Sequence, residues 1–298
     1  MRAMTYDAHE LLVGPARATA HPARLLVGVV LGVPVFVALS FGYASLLPLL
    51  FGPEAWARIS PGIEAATNPE GVLINLFVFG LLIASLGLTL RLVHRRGLWS
   101  IIGPPARTLR QFAVAMAAML LLYGAILFLP MPEGMDPVPN LAPARWLMLL
   151  PLALLGLFLQ VFAEELVFRG YLQSQLAARF SSPLIWMVLP SLCFAMLHFD
   201  PVSFGANAWI VVAWAAAFGL AAADLTARAG TLGPATALHF INNFSAIMIA
   251  APRGQFDGLA LYAYPFGMDN IDALWAMMPV DLLILICGWL AIRLTLRR

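Results

Sequence analysis

The sequence predicts an all-α, polytopic membrane protein, a bundle of about eight transmembrane helices around an intramembrane cavity. Two observations predict this fold. Of the 298 residues, 62% are hydrophobic and only 11% are charged, whereas a soluble domain carries about 25% charged residues. The chain also contains eight apolar runs with few or no charges, and about 20 such residues cross the hydrocarbon core as a helix. We therefore expect a single integral membrane domain over residues 1–298.

The eight runs are separated by charged or proline-rich connections. They fall near residues 25–51, 71–90, 111–130, 144–165, 183–199, 207–223, 232–250 and 272–292. The first run is longer than the core of about 7–15 residues in a signal peptide, so we expect a retained span. The stretches 130–145 and 252–271 lie on the same side of the bundle, where they are expected to be surface connections that can form a cap.

The arginines predict the orientation of the spans. All seventeen basic residues are arginines, and only Arg58, Arg145 and Arg253 fall on one side of the predicted bundle. The positive-inside rule places the other side, with both termini and thus Arg2 and Arg298, in the cytoplasm. The lack of lysine favours a bacterial chain, and hence the bacterial inner membrane. The formal net charge of +2 argues against nucleic acid as a partner, so the expected partners are the lipid bilayer and a membrane-associated peptide or protein.

Two adjacent glutamates, Glu164 and Glu165, end the fourth run and are followed by Arg169. An ionisable residue at the centre of a membrane helix costs about 2.5–3.5 kcal/mol, which favours a functional or paired carboxylate. On a helix, Glu165 and Arg169 share a face and can form an ion pair. Glu164 points about 100° away, so it can face a cavity and accept a proton from water. The simpler interpretation is a surface ion pair at a helix end.

Two histidines lie inside other apolar runs, and each has a notable residue four positions away. Phe194 precedes His198, and His239 precedes Asn243. Spans four and five form a predicted hairpin that places Glu164 and His198 at similar heights, where they can approach each other. His239 reaches the same height in the membrane as Glu164 and His198 only if segment 169–182 projects beyond the bilayer or the spans bend. A histidine in an apolar helix is often a packing residue, but two such histidines favour a functional role.

These side chains suit the hydrolysis of an amide. The reaction needs an activated water, a proton donor for the leaving amine and donors for the developing oxyanion. Glu164 with His198 can orient and deprotonate the water, while His239 and Asn243 can stabilise the oxyanion. A divalent metal such as zinc, held by Glu164, His198 and His239, is an alternative way to activate water. The sequence lacks the His-Glu-x-x-His and Gly-x-Ser-x-Gly motifs of other hydrolases.

The three motifs together resemble the CPBP intramembrane protease family, which includes the CAAX prenyl endopeptidases and bacteriocin-processing proteins. The resemblance covers about residues 144–250, which would be the catalytic helices. It is carried by Glu164-Glu165-x-x-x-Arg169, Phe194-x-x-x-His198 and His239-x-x-x-Asn243.

The resemblance implies an eight-helix bundle with a cavity open to the cytoplasm. It also implies an intramembrane endopeptidase, commonly called a metalloprotease, acting on a membrane-associated or prenylated substrate. The implied roles are a base for Glu164, assistance for His198, an oxyanion site for His239 and Asn243, and support for Glu165 and Arg169.

Three other functions remain open on the sequence alone. Carboxylates and histidines also build proton relays in membranes, so a proton-coupled transporter is an alternative, although the paired broken helices of many transporters are not evident. A catalytically silent scaffold or immunity protein of the same fold is another. A haem protein with His198 and His239 as axial ligands is the third.

Overall fold

Eight apolar helices dominate residues 6–129 and 134–297, which the computed structural model describes. Residues 130–133 of the predicted outer stretch lie outside the described residues, as do Arg2 and Arg298, which entered the predicted orientation. The helices are α1 (Pro22–Phe51), α2 (Pro69–His94), α3 (Pro105–Ile126), α4 (Pro143–Arg179), α5 (Leu184–Met196), α6 (Ala208–Ala229), α7 (Gly233–Phe244) and α8 (Ile271–Leu296).

Every predicted apolar run corresponds to one of these helices, which confirms the polytopic all-α fold. In the described part of the chain, six helical stretches are long and apolar enough to cross a membrane. They are α1, α2, α3, α4, α8 and the stretch Pro201–Ala229 that contains α6. The other two, α5 and α7, are shorter, although α7 continues as the π-helical turn Ser245–Ile249. Eight complete crossings therefore remain a prediction.

The sixth helix is longer than its predicted run of 207–223. It continues to Ala229 because Asp224 and Arg228, the charges that ended the run, pair within the helix at 2.8 Å. Asp224 also accepts hydrogen bonds from the Tyr6 hydroxyl and from Trp289 Nε1, each at 2.9 Å. This one carboxylate thereby joins the N-terminal segment, α6 and α8.

Short helical segments connect the long helices. Before α1, residues 7–19 form successive turns that bury Leu12 and Ala16 against the bundle. The other short segments are Pro53–Ile59, Ser60–Gly62, Leu98–Ile101, Pro201–Phe204 and Gly205–Asn207.

The longest helix, α4, contains 37 residues. At about 1.5 Å per residue it is about 55 Å long, and a hydrocarbon core is about 30 Å thick. About 25 Å of the helix must then lie outside the core, unless it is steeply tilted. This length fits the predicted projection of segment 169–182, on which the expected height of His239 depends.

A small sheet links the two stretches that were predicted as outer connections. Its strands are β1 (Val138–Pro139), β2 (Ala250–Pro252) and β3 (Tyr262–Tyr264). β3 lies between the others, antiparallel to β1 and parallel to β2. Because β1 precedes α4 and β2 follows α7, the sheet ties one end of α4 to one end of α7. Trp146 Nε1 strengthens this link by donating to the Met248 carbonyl oxygen at 2.8 Å.

Helix α7 lies at the centre of the bundle and packs against α3, α4 and α6. Residues 233–239 are all buried, as expected for a helix that is surrounded by others. Around it, an apolar core includes Phe194 from α5, Phe218 from α6 and Leu238 from α7. The described position of His239 is therefore in the interior of the protein rather than on its lipid-facing surface.

Helix α1 lies at the periphery and approaches the bundle through two glycines. Gly28 and Gly32 are four residues apart, the spacing that lets membrane helices approach closely. Ser85 of α2 donates a hydrogen bond to the Gly32 carbonyl oxygen at 2.7 Å. A Cβ atom on Gly28 would overlap the hydroxyl of the buried Tyr171. The same hydroxyl lies 2.9 Å from His94 Nε2, so it is not free to move away.

We predict that Gly28→Val destabilises the protein, because the new side chain must displace Tyr171 from His94. Overpacking of this kind costs about 1–3 kcal/mol. Gly42→Val in the same helix is the matched control, since a Cβ atom there meets no atom within 4 Å. Thermal unfolding in detergent should show a lower midpoint for Gly28→Val than for Gly42→Val. Equal midpoints would show that α1 does not depend on this close approach.

Candidate active site

Glu165 and Arg169 form a buried ion pair on α4. Arg169 Nη1 lies 2.9 Å from Glu165 Oε1, and the two side chains are 1% and 0% exposed. Arg169 Nη2 also donates to the Gly219 carbonyl oxygen of α6 at 3.3 Å, and the guanidinium carbon lies 4.7 Å from the centre of the Phe194 ring. The predicted ion pair is therefore present, and it has the additional partners that buried charges need.

The helix widens immediately after the two glutamates. Residues Leu166–Gln173 are π-helical, and π-helical turns are frequent at functional sites. The widened segment packs closely on the short helix Leu98–Ile101, because a Cβ atom on Gly170 would lie 2.7 Å from the Ile101 carbonyl oxygen. The sequence predicted an ordinary α-helix here, since apolar periodicity carries no signal for a local change of pitch.

His239 lies between the two carboxylates. Its Nδ1 lies 2.8 Å from Glu165 Oε1 and its Nε2 lies 3.4 Å from Glu164 Oε2. Glu165 Oε1 also accepts a hydrogen bond from Arg169 Nη1, so it acts as an acceptor and Nδ1 of His239 is the nitrogen that donates to it. The imidazole ring packs against Phe218 and Phe194, with centroid distances of 4.9 and 6.0 Å. Glu165 thus fixes the tautomer and orientation of the ring and leaves Nε2 for Glu164.

Glu164 differs from its neighbour in having one free oxygen. Its Oε2 is sealed from solvent and faces His239, but at 3.4 Å it makes no hydrogen bond. Its Oε1 also has no hydrogen-bond partner among the described residues, but this atom is not sealed from solvent. This oxygen therefore remains accessible, as the sequence required of a carboxylate that faces a cavity.

Asn243 belongs to a chain of side-chain amides beside Glu164. Its Nδ2 donates to Gln160 Oε1 at 3.1 Å, and its Oδ1 accepts from Asn242 Nδ2 at 3.2 Å. Gln160 is buried at 8% exposure and precedes Glu164 by four residues on α4. Sequence reasoning missed Gln160. The sequence did contain one sign of it, a glutamine in an apolar run that lies four residues before Glu164 and so shares its helix face.

His198 is placed less directly than predicted. It follows the end of α5, where its Nδ1 donates to the Phe194 carbonyl oxygen at 3.0 Å. In the described part of the chain, no hydrogen bond or ion pair joins His198 to Glu164. The Phe194 ring contacts both imidazoles, with its centre 4.7 Å from that of His198 and 6.0 Å from that of His239. His198 is therefore joined to the rest of the site through Phe194.

A divalent metal held by Glu164, His198 and His239 stays a prediction from the sequence. Among the described residues, no group of three histidine, cysteine or acidic side chains is placed to hold a metal ion. Both ring nitrogens of His239 face carboxylates, and Nδ1 of His198 is used by a backbone carbonyl.

The motif residues all lie within one stretch of the chain that matches a known family. Residues 146–245 match the family model described as Type II CAAX prenyl endopeptidase Rce1-like. The matched stretch is about a third of the chain. The match confirms the predicted resemblance and supports a CAAX-type intramembrane endopeptidase in general. Comparison with curated proteins and with solved structures gave no match.

We predict that Glu165→Gln destabilises the protein far more than Glu164→Gln does. The first change leaves the Arg169 guanidinium buried beside a neutral amide, and breaking a buried pair from one side costs about 3–5 kcal/mol. Glu164 has no hydrogen-bond partner among the described residues, so its replacement removes much less. Unfolding of both variants in the same detergent tests the difference. Equal loss of stability would contradict the division of roles between the two carboxylates.

Proposed function

We propose that this protein hydrolyses a peptide bond of a membrane-associated or prenylated protein or peptide by a water molecule that Glu164 activates. One observation carries the proposal. Glu164 presents an accessible oxygen while its other oxygen faces the buried imidazole of His239. A carboxylate in an apolar helix with one unused oxygen is suited to proton transfer, and the Rce1-like match supports a peptidase.

In the proposed first step, Glu164 Oε1 takes a proton from water as the water oxygen attacks the carbonyl carbon of the substrate. The π electrons of the carbonyl move to its oxygen, which becomes the oxyanion. His198 assists by accepting a hydrogen bond at Nε2 from the hydrogen that the water keeps, because its Nδ1 is already a donor to Phe194. A group placed in this way contributes about 10²–10⁴-fold to the rate.

Asn243 and His239 stabilise the oxyanion in this proposal. Asn243 Nδ2 uses one hydrogen for Gln160 and has a second to donate. Nε2 of His239 is the nitrogen available to the substrate, since Nδ1 is held by Glu165. It stabilises the oxyanion when the ring carries a hydrogen on both nitrogens, because only then is Nε2 also a donor. When the intermediate collapses, the C–N bond breaks and Glu164 returns its proton to the leaving nitrogen.

The proposed setting is a bacterial inner membrane with the arginine-rich side and both termini in the cytoplasm. Glu164 lies on α4, one of the helices that are long and apolar enough to cross a membrane. Glu164 and Glu165 end the α-helical part of α4, 23 residues from its start on the opposite side. This position near the arginine-rich ends of α4 and α7 supports a substrate that approaches from the cytoplasmic leaflet.

We expect Glu164→Gln to lower the cleavage rate by about 10²–10⁴-fold, the contribution of a positioned proton-transfer group. The assay follows wild-type and variant protein in liposomes with membrane-tethered peptides, each made with and without a prenyl group. Glu54→Gln makes the same chemical change at an exposed residue in Pro53–Ile59 and should leave the rate unchanged.

Full activity of Glu164→Gln would reject the proposed site. Absence of cleavage by the wild-type protein, together with uptake driven by a pH gradient, would instead support a transporter. The prenylated and unprenylated peptides separate the two substrate classes, because only a prenyl-dependent enzyme discriminates between them.

We expect Asn243→Ala to lower kcat by about 10²–10³-fold, the usual effect of removing one oxyanion donor. KM should change little, because the donor acts mainly on charge that develops in the transition state. Asn242→Ala is the neighbouring control. It removes only the hydrogen bond to Asn243 Oδ1, so its effect should be smaller. A loss confined to KM in Asn243→Ala would show that Asn243 binds the ground state instead.

A further inference from the structure

The side-chain amide of Gln160 has a donor group that the described fold does not use. Gln160 Oε1 accepts a hydrogen bond from Asn243, but Gln160 Nε2 has no acceptor among the described residues. Gln160 as a residue is only 8% exposed, but its Nε2 atom is not sealed from solvent. The nitrogen therefore remains accessible. An accessible amide donor that no protein group uses can donate to an acceptor that arrives with the substrate.

We infer that Gln160 is a second amide of the oxyanion site and donates an N–H group to the substrate oxygen beside Asn243. The inference rests on the proposed function of this site. None of the three sequence motifs includes Gln160, and its role follows from where α4 places it. It lies four residues before Glu164, and residues at this spacing occupy the same face of a helix.

The direction of the amide chain determines which atoms are free. Asn242 Nδ2 donates to Asn243 Oδ1, and Asn243 Nδ2 donates to Gln160 Oε1. Each acceptor oxygen along the chain is therefore used by the preceding amide. The chain ends at Gln160 Nε2, which carries two hydrogens, while Asn243 Nδ2 retains one. At the Gln160 end of the chain, the free groups are thus donors only, as an oxyanion requires.

The neighbouring groups make a donor pair useful at this position. Glu164, one turn away on the same helix, is the proposed base, so the attacked carbonyl must lie close to both residues. As Glu164 takes the proton of the water, its negative charge passes to the substrate oxygen, and N–H donors from Gln160 and Asn243 stabilise the charge there as it develops. Amides that are already oriented by hydrogen bonds need not reorganise during the reaction.

Gln160→Met tests the inference, because methionine has a similar shape and no donor. We expect kcat to fall by about 10²-fold with little change in KM. Gln111→Met is the matched control at another buried glutamine, which binds Ala229 and Thr231 away from the site. Its kcat should stay within about twofold of wild type. Unfolding midpoints of both variants show whether the protein remains folded.

A second variant separates donation from mere positioning of Asn243. Gln160→Glu keeps an oxygen acceptor for Asn243 but removes the donors, so its kcat should also fall. In an Asn243→Ala background, Gln160→Met should lower kcat further, because the two amides donate independently. If Gln160→Met retains wild-type kcat, or if its effect disappears when Asn243 is absent, the inference is wrong. These results differ from an active Glu164→Gln variant, which would reject the proposed function itself.

Discussion

The buried charges of Glu165 and Arg169 constrain the rest of this structure. Neither side chain can be placed in an apolar bundle alone, because an unpaired buried charge is strongly destabilising. Arg169 therefore takes Glu165, the Gly219 carbonyl oxygen and the Phe194 ring as partners, and Glu165 takes His239 as a second one. These contacts fix α4 relative to α5, α6 and α7. The register of the four helices that surround the site thus follows from one ion pair.

The same ion pair separates the tasks of two adjacent and chemically identical residues. Glu165 is held by Arg169 and His239 and has no exposed surface. Glu164, about 100° further around the helix, keeps an accessible oxygen. Phe194 and Phe218 cover the imidazole between them, so the charges act in a medium where electrostatic interactions are stronger than in water. Environment rather than residue type decides which carboxylate is available for chemistry.

The sequence was sufficient to predict the fold class and the pairing of Glu165 with Arg169. Both follow from strong local signals, namely apolar length and the four-residue spacing. It was not sufficient for the end of α6, because Asp224 and Arg228 looked like a boundary until their pairing was known. Nor could it predict the contact of His198 with the Phe194 ring, which depends on how the short α5 ends, or the role proposed for Gln160. Contacts between distant helices carry no periodic signal in one sequence.

The two ends of the α4–α7 pair are held by different means. Toward the start of α4, the Trp146 side chain and the small sheet fix the helices by hydrogen bonds to backbone groups. Toward the other end, His239 and Glu165 fix them by a charged contact. The amide chain from Asn242 through Asn243 to Gln160 lies between these two attachments. Because amides that bridge two helices stay aligned only if those helices do not slide, attachment at both ends gives the free N–H groups a stable direction.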